Sequence, residues 1–530
     1  MTFKTYAGDA GVLSRRLFLG VATAALGAYP LTAFAQDLPP AETPGVPVPP
    51  GQIDMAVGEL DRIVKELMSR SKIPGAAVAV VHEGRTVYAK GFGERKIGLP
   101  EPVTPDTVFQ LASLSKPVGA SVIARQVTLE RVSWQSRMKD LLPWFELADP
   151  ARSKVLTVAD LYSHRSGLPA HAGDDLEDLG FNRQTVLERL RLLPLSPFRI
   201  THAYTNFGMT AAAEAVARAA GTDWASLSEE AIYRPLGMAS TSSRFKDYMA
   251  AANRAVPHAR SGDGFSPLFQ REPDAQSPAG GVSSTVNDLA IWMKMILADG
   301  NHEGTEWLSP TALLPAVSPQ SVSSPPRNQE SRPGFYGYGF NVGTDPSGRT
   351  RLSHSGAFVL GAGTCFTLIP SLDLGIVVLT NAAPVGAAES IAASFTDLAQ
   401  FGHETRDWYA GYSRIFAGFF EKRGRTVGMT PPENAAPPPA ANRAVGVYTH
   451  PYFGRIEIGT SPRGLTLAAG PKPMEFLLLP FDGPVMVFDF VTENAPSGSR
   501  STITFGGPAG PAETVEIELF GEEPATFTRV

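Results

Sequence analysis

Cysteine is nearly absent from this 530-residue chain: Cys365 stands alone, so no intramolecular disulfide braces the fold. Its surroundings, Thr364-Cys365-Phe366-Thr367-Leu368-Ile369, are apolar and suit a buried structural thiol better than a nucleophile. A basic surplus is missing too. With a net charge of -6 and 18% charged residues, the chain lacks the cationic footprint of a nucleic-acid binder, and no nucleic-acid partner is expected. No pair of histidines has the His-Glu-x-x-His spacing of a zinc site. His164 and His171 can be weighed as metal ligands but read as ordinary loop histidines. Beyond the N-terminus there is no apolar run of the roughly 18 residues that a membrane span needs.

What is present first is an address. Ser14-Arg15-Arg16-Leu17-Phe18-Leu19 opens a modest apolar stretch that ends near Ala28, too short for a span. Ala33-Phe34-Ala35 then offers a small-residue cleavage site before Gln36. Residues 1–35 are therefore expected to be a removable signal of the twin-arginine type, with a retained anchor as the alternative. The mature protein is expected in a bacterial periplasm, with no stable membrane span once the signal is removed.

The chain exceeds one typical domain, and its punctuation suggests one large and one small unit. Residues 36–52 are proline-rich and read as a tether. Ile53, Val57, Leu60, Ile63, Val64 and Leu67 fall on one helical face before Pro74-Gly75. Residues 76–81 and 86–89 read as a hairpin through Glu83-Gly84. Helices are expected at 117–129, 210–220, 289–297 and, as one long stretch, 387–420. Residues 315–334, rich in Pro and Ser, read as a loop, followed by strands at 340–342, 350–353, 363–369 and 374–379. A Pro/Ala linker at 425–442 precedes short alternating runs, so residues 443–530 are expected to form a small all-β sandwich or barrel.

Three strings carry chemistry: Ser113-Leu114-Ser115-Lys116, Tyr204-Thr205-Asn206 and His354-Ser355-Gly356. Each is weak evidence by itself. Ser-x-x-Lys recurs at Ser69, Ser136 and Ser243, and His-x-Gly recurs at His82, His171 and His302; only Tyr-x-Asn is unique. As an ordered set they supply the parts of an acyl-transfer serine hydrolase, chemistry that calls for neither a metal nor an organic cofactor. A serine hydroxyl needs a neighbouring base, and Ser113 and Lys116 share a face at a helix start. Lys116 can accept the proton only if burial or a positive field keeps it neutral. Tyr204 is expected as a second proton carrier, drawn toward its anion by the lysine charge. Asn206 can hold both Lys116 and a substrate carbonyl. Gly356 would let a substrate backbone lie close along a strand edge, and the amides of Ser113 and Ala357 are expected to face the oxyanion.

Over residues 53–424 the chain closely resembles the serine hydrolase family of class C β-lactamases, DD-peptidases, D-aminopeptidases and related esterases. The likeness extends beyond the three strings to Pro74–Glu94, Phe109–Ala120, Leu156–Pro169, Ala203–Met209, Pro235–Thr241 and Pro278–Trp292. It implies an α+β fold, β-lactamase/transpeptidase-like: an antiparallel sheet flanked by helices, plus an all-helical part. Ser113 matches the acylated nucleophile and Lys116 its partner. Tyr204 matches the base for acylation and deacylation, and Asn206 the Asn of the second motif. His354, Ser355 and Gly356 fall where β-lactamases carry Lys-Thr-Gly. Residues 443–530 resemble the lipocalin-like domain of some peptidases in this family, through Gly446-Val447-Tyr448 and the alternation.

Two departures shape the functional expectation. A histidine in place of the third-motif lysine is mostly neutral near pH 7, which weakens the β-lactamase reading and favours a small peptide or amide substrate. Phe198-Arg199-Ile200-Thr201-His202 replaces a Pro-Gly turn, and Arg199 or His202 either lines the pocket or braces the loop. Ester hydrolysis is the close alternative, since esters need less leaving-group protonation. A β-lactamase of the same family and a sensor that acylates without turnover stay open as well. Oligomeric state has no signature in the sequence.

Overall fold

The computed structural model of the protein describes residues 46–508 and 510–530. The expected signal at 1–35 and most of the expected tether lie outside the described residues. Helix α1 (Gln52–Ser71) buries Ala56, Leu60, Ile63, Val64 and Leu67 on one face. It stops at Lys72, whose φ of 61° turns the chain left-handed while its N–H bonds Met68 O. Strands β1 (Gly75–His82) and β2 (Arg85–Gly93) follow as a hairpin. The turn at Glu83 and Gly84 has φ of 48° and 67°, the primed geometry that matches strand twist.

Next come α2 (Ser115–Thr128), the short α3 (Asp174–Asp178), α4 (Asn206–Ala219) and α5 (Val286–Leu297). Strands β3 (Ser321–Ser324), β4 (Gly334–Tyr336), β5 (Asn341–Thr344), β6 (Thr350–Phe358), β7 (Ala362–Ile369) and β8 (Leu374–Thr380) complete the sheet before α6 (Ala387–Phe401). All eight strands join in the order β2-β1-β8-β7-β6-β5-β4-β3. Neighbouring strands are antiparallel throughout. Val78, Val80, Ile376 and Val378 pack under α1 and α6 on one face of the sheet. Ala77, Ala79, Val377 and Leu379 face the other way, with Leu289 and Met293 of α5. The fold is the expected α+β sheet-and-helix architecture.

Two expectations are corrected. Residues 315–334 are not wholly loop, because β3 and the start of β4 lie within them. Ser321-Val322-Ser323-Ser324 forms a polar edge strand with no apolar alternation to announce it. The helix expected over 387–420 is broken at Gly402, where φ is 75°, and restarts at Trp408 with Asp407 accepting the N–H of Ala410.

From Gly446 to Arg529, nine antiparallel strands form a nearly closed barrel-like sheet. This β unit packs on the helical region. One apolar cluster runs from Leu176 and Leu179 to Tyr452, Phe453 and Phe520. Gly470, at a φ of 88°, sits so close to the Leu179 carbonyl that a Cβ would lie 2.2 Å from its oxygen.

Candidate active site

Ser113 sits in a tight turn, Ala112–Leu114, that feeds directly into α2. Ala112 adopts a φ of 48°, unusual for a residue with a side chain. The turn is pinned on several sides. Leu111 N–H donates to Val282 O at 2.9 Å, Thr364 Oγ1 to Leu111 O at 2.7 Å and Ser115 Oγ to Ala112 O at 2.7 Å. Gly356 of β6 presses against the same turn, and a Cβ there would lie 2.3 Å from Leu111 O and 3.1 Å from Ser113 N. The glycine expected to admit a substrate backbone thus makes room for the Ser113 turn itself.

Lys116 is fully buried one helical turn on, with Nζ 3.0 Å from Ser113 Oγ. Nζ also donates to Asn206 Oδ1 at 2.7 Å and to Ala279 O at 2.9 Å. Every contact is a neutral group, so burial dominates and brings the amine down to about 7, with Asp174 opposing the shift. With two hydrogens committed to the two carbonyl acceptors, a neutral amine directs its lone pair at the Ser113 hydroxyl.

Tyr204 O–H donates to Ser113 Oγ at 2.9 Å, and the Lys116 ammonium position lies 4.6 Å from its ring centroid. The phenol is not drawn toward its anion as expected. Burial first, then the charge of Asp174, pushes it upward against the Ser113 hydrogen bond, so the resting phenol keeps its proton. Asn206, the first residue of α4, donates Nδ2 to both oxygens of buried Asp174, at 3.2 and 3.0 Å. That fork orients the amide so its oxygen faces Lys116.

On β6 the period-two alternation divides the third string. His354 and Gly356 face the Ser113 turn, whereas Ser355 pairs in register with Cys365, whose side chain belongs to the α1/α6 face. There its hydroxyl acts on the carboxyl of Glu389, so the Ser355 side chain is not part of the Ser113 cleft. By the same alternation, Ala357 can offer the cleft only its backbone. His354 is buried beside Lys116, and burial holds its imidazole down to about 3, uncharged. Its Nδ1 lies 2.7 Å from the Ser355 carbonyl, which can only accept, so Nε2 is the bare nitrogen receiving Tyr336 O–H at 3.0 Å. Strand β5 pairs only with residues 350–353 of β6, leaving 354–358 free of a strand on that edge.

Arg199 braces the loop: it is forked onto Asp160 at 3.0 and 2.8 Å. His202 Nδ1 is 3.0 Å from Ser321 Oγ. Buried His164 accepts the Thr205 N–H at 3.1 Å and packs on the Tyr204 ring at 4.5 Å. His171 pairs with Asp174 at 3.1 Å. Among the described residues no cluster of three metal-ligating side chains exists. Sequence reasoning missed Asp174, Tyr336 and the Ala279 carbonyl. The stretch Gly334-Phe335-Tyr336-Gly337-Tyr338-Gly339 and the pair Gly280-Gly281 are the only local signals near the latter two.

The profile of the Beta-lactamase family matches residues 60–400. The chain is 27% identical over 417 residues to the Unguisins hydrolase ungD' of Aspergillus campestris, covering 75% of this chain and 76% of that protein. It is 25% identical over 389 residues to Esterase EstB of Burkholderia gladioli, covering 64% of this chain and 93% of the relative. In structure it is similar to an octameric penicillin-binding protein homologue from Pyrococcus abyssi, with a TM-score of 0.56 and 18% identity. That likeness covers 89% of this chain and 100% of the other, and at such identity it speaks to the fold alone. The chain belongs to the Beta-lactamase family.

Proposed function

We propose that this Beta-lactamase family member is an exported serine hydrolase that cleaves a peptide or amide bond through an acyl-enzyme on Ser113. The observation that carries the reading is the pair of groups at Ser113 Oγ. An amine brought close to neutrality stands 3.0 Å away on one side, and a protonated phenol stands 2.9 Å away on the other. Breaking an amide needs both, a base for the nucleophile and an acid for the departing nitrogen. Lys116 takes the Ser113 proton as Oγ attacks the carbonyl carbon. In this reading the amides of Ser113 and Ala357 receive the oxyanion. Tyr204 protonates the leaving amine and is itself reprotonated from the Lys116 ammonium. Water then attacks the acyl-serine by the reverse relay and frees the acid.

The uncharged His354 offers no fixed cation to a substrate carboxylate, which supports the preference over a β-lactam. The free edge at 354–358 suits an extended backbone. Similarity to Esterase EstB favours ester hydrolysis as the second reading. Arg15-Arg16 and Ala33-Phe34-Ala35 support a periplasmic location.

Intact-protein mass spectrometry tests the reading, on wild type and Ser113→Ala, with a fluorophosphonate and then β-lactams, p-nitrophenyl esters and D- and L-aminoacyl amides. The expected result is a Ser113-dependent adduct and catalytic release of an aminoacyl product. Turnover of esters alone would establish the second reading, an adduct that persists on every substrate would make the protein a sensor, and no adduct at all would overturn the site.

A further inference from the structure

The β unit reaches the Ser113 cleft through one loop. Glu493 accepts the backbone N–H of Val359 at 2.6 Å and of Leu360 at 3.3 Å. Those amides form the turn between β6 and β7, two and three residues beyond Ala357. The next residue, Asn494, donates its backbone N–H and Nδ2 to Asp178 of α3 at 3.3 and 2.9 Å. Two neighbouring residues of the β unit therefore hold both the strand that carries the Ala357 amide and the helix that carries Asp174.

Glu493 also lies 4.0 Å from Arg271, but that arginine already has a partner in Glu177 at 2.7 Å. Its shortest contacts are the two amides, which marks it as an acceptor for the turn before it is a counter-ion. One carboxylate spanning two successive N–H groups restrains both peptide planes. Residues 354–358 have a strand partner on one edge only, β7, so Glu493 adds a second hold at the end of that pairing.

We propose that Glu493 is a positioning residue for acyl transfer at Ser113, fixing the β6–β7 turn and through it the Ala357 amide that receives the oxyanion. The assignment rests on the acyl-enzyme reading and deepens it. A displaced oxyanion donor slows every acylation at Ser113, whatever the leaving group.

The test uses the full chain and the rate of fluorophosphonate labelling of Ser113, with kcat and KM for the best substrate and the melting temperature beside it. Glu493→Ala is expected to label about tenfold or more slowly, with kcat reduced and KM little changed. Glu493→Gln and Glu493→Asp then separate the two kinds of contact. The glutamine carbonyl keeps the 2.6 Å contact with the Val359 N–H but turns its NH2 toward the Leu360 N–H, so it is expected to restore the rate in part. Aspartate keeps the charge near Arg271 but falls short of the turn, and is expected to stay slow. Tyr452→Phe removes the 2.7 Å hydrogen bond to Asp175 elsewhere in the same interface and is expected to label as wild type does. Wild-type labelling by Glu493→Ala, recovery by aspartate rather than glutamine, or an equal loss in Tyr452→Phe would each overturn the assignment. A wild-type protein that does not label at Ser113 would instead remove the acyl-enzyme reading, and this assignment with it.

Discussion

Two buried charge environments meet at α3, and they are built in opposite ways. Around Ser113 a single lysine is surrounded by neutral acceptors, the Ser113 hydroxyl, the Asn206 amide and the Ala279 carbonyl. Where the β unit docks, Glu177, Asp178 and Glu493 gather about one cation, Arg271, with Asp175 alongside accepting the Tyr452 hydroxyl. In the first, burial lowers a cation to about 7. In the second, burial raises Asp175 to about 7, while at Glu493 Arg271 and the two turn amides oppose the same rise. Burial carries either sign of group toward neutrality where no counter-charge stands beside it, as at Lys116 and Asp175, and Arg271 opposes that drift at Glu177 and Glu493. At Ser113 the result is an amine near neutrality, and at the docking surface it is an acid, Asp175, held toward its protonated form.

The sharpest way to break the comparison is Lys116→Met. It should cut kcat/KM by a factor on the order of 10⁴ while leaving the melting temperature equal or higher, because an unpaired buried amine is removed. Next, log kcat/KM in wild type should climb with pH and level off above about 7, since only the deprotonated amine accepts the Ser113 proton. Asp174→Asn sharpens this. Losing the charge that holds Lys116 up should move the inflection to lower pH. Loosening Asn206 should cost about tenfold in kcat. The smallest effect belongs to the docking surface. Asp175 rises from 3.8 to about 7 on folding, so its contribution to stability is complete below pH 3.8 and is lost as pH climbs toward 7. Asp175→Asn should therefore flatten the fall in melting temperature between pH 5 and pH 8, a change of about 1–2 kcal/mol. A fall as steep as in wild type would show that other groups set the pH response.

Much of this was legible because it is local. The face of α1, the β1–β2 turn and the Ser113/Lys116 spacing each depend on residues within one or two turns of chain. The three other Ser-x-x-Lys strings show what the motif alone cannot say: Lys139, for instance, is spent on an exposed ion pair with Glu146. The orientation of Ser355 was available from strand alternation, yet three consecutive residues of a motif invite reading as a block. Edge strand β3 escaped because a half-exposed Ser-rich strand carries no apolar rhythm. Asp174 and Glu493 had no sequence signal at all. Their partners, Asn206 and the amides of Val359 and Leu360, are chosen by the fold across 32 to 134 positions.

The register of the main sheet has a consequence in time. Strand β1, near the start of the described chain, finds its central partner in β8, with Ala76 opposite Thr380. Gly356 and the Glu493 contacts also come from sequence synthesised long after Ser113. In order of synthesis Ser113 and Lys116 emerge together, and the strand that backs their turn and the Glu493 contacts emerge long after. A chain still on the ribosome therefore holds β1 without its central partner until residue 380 has emerged.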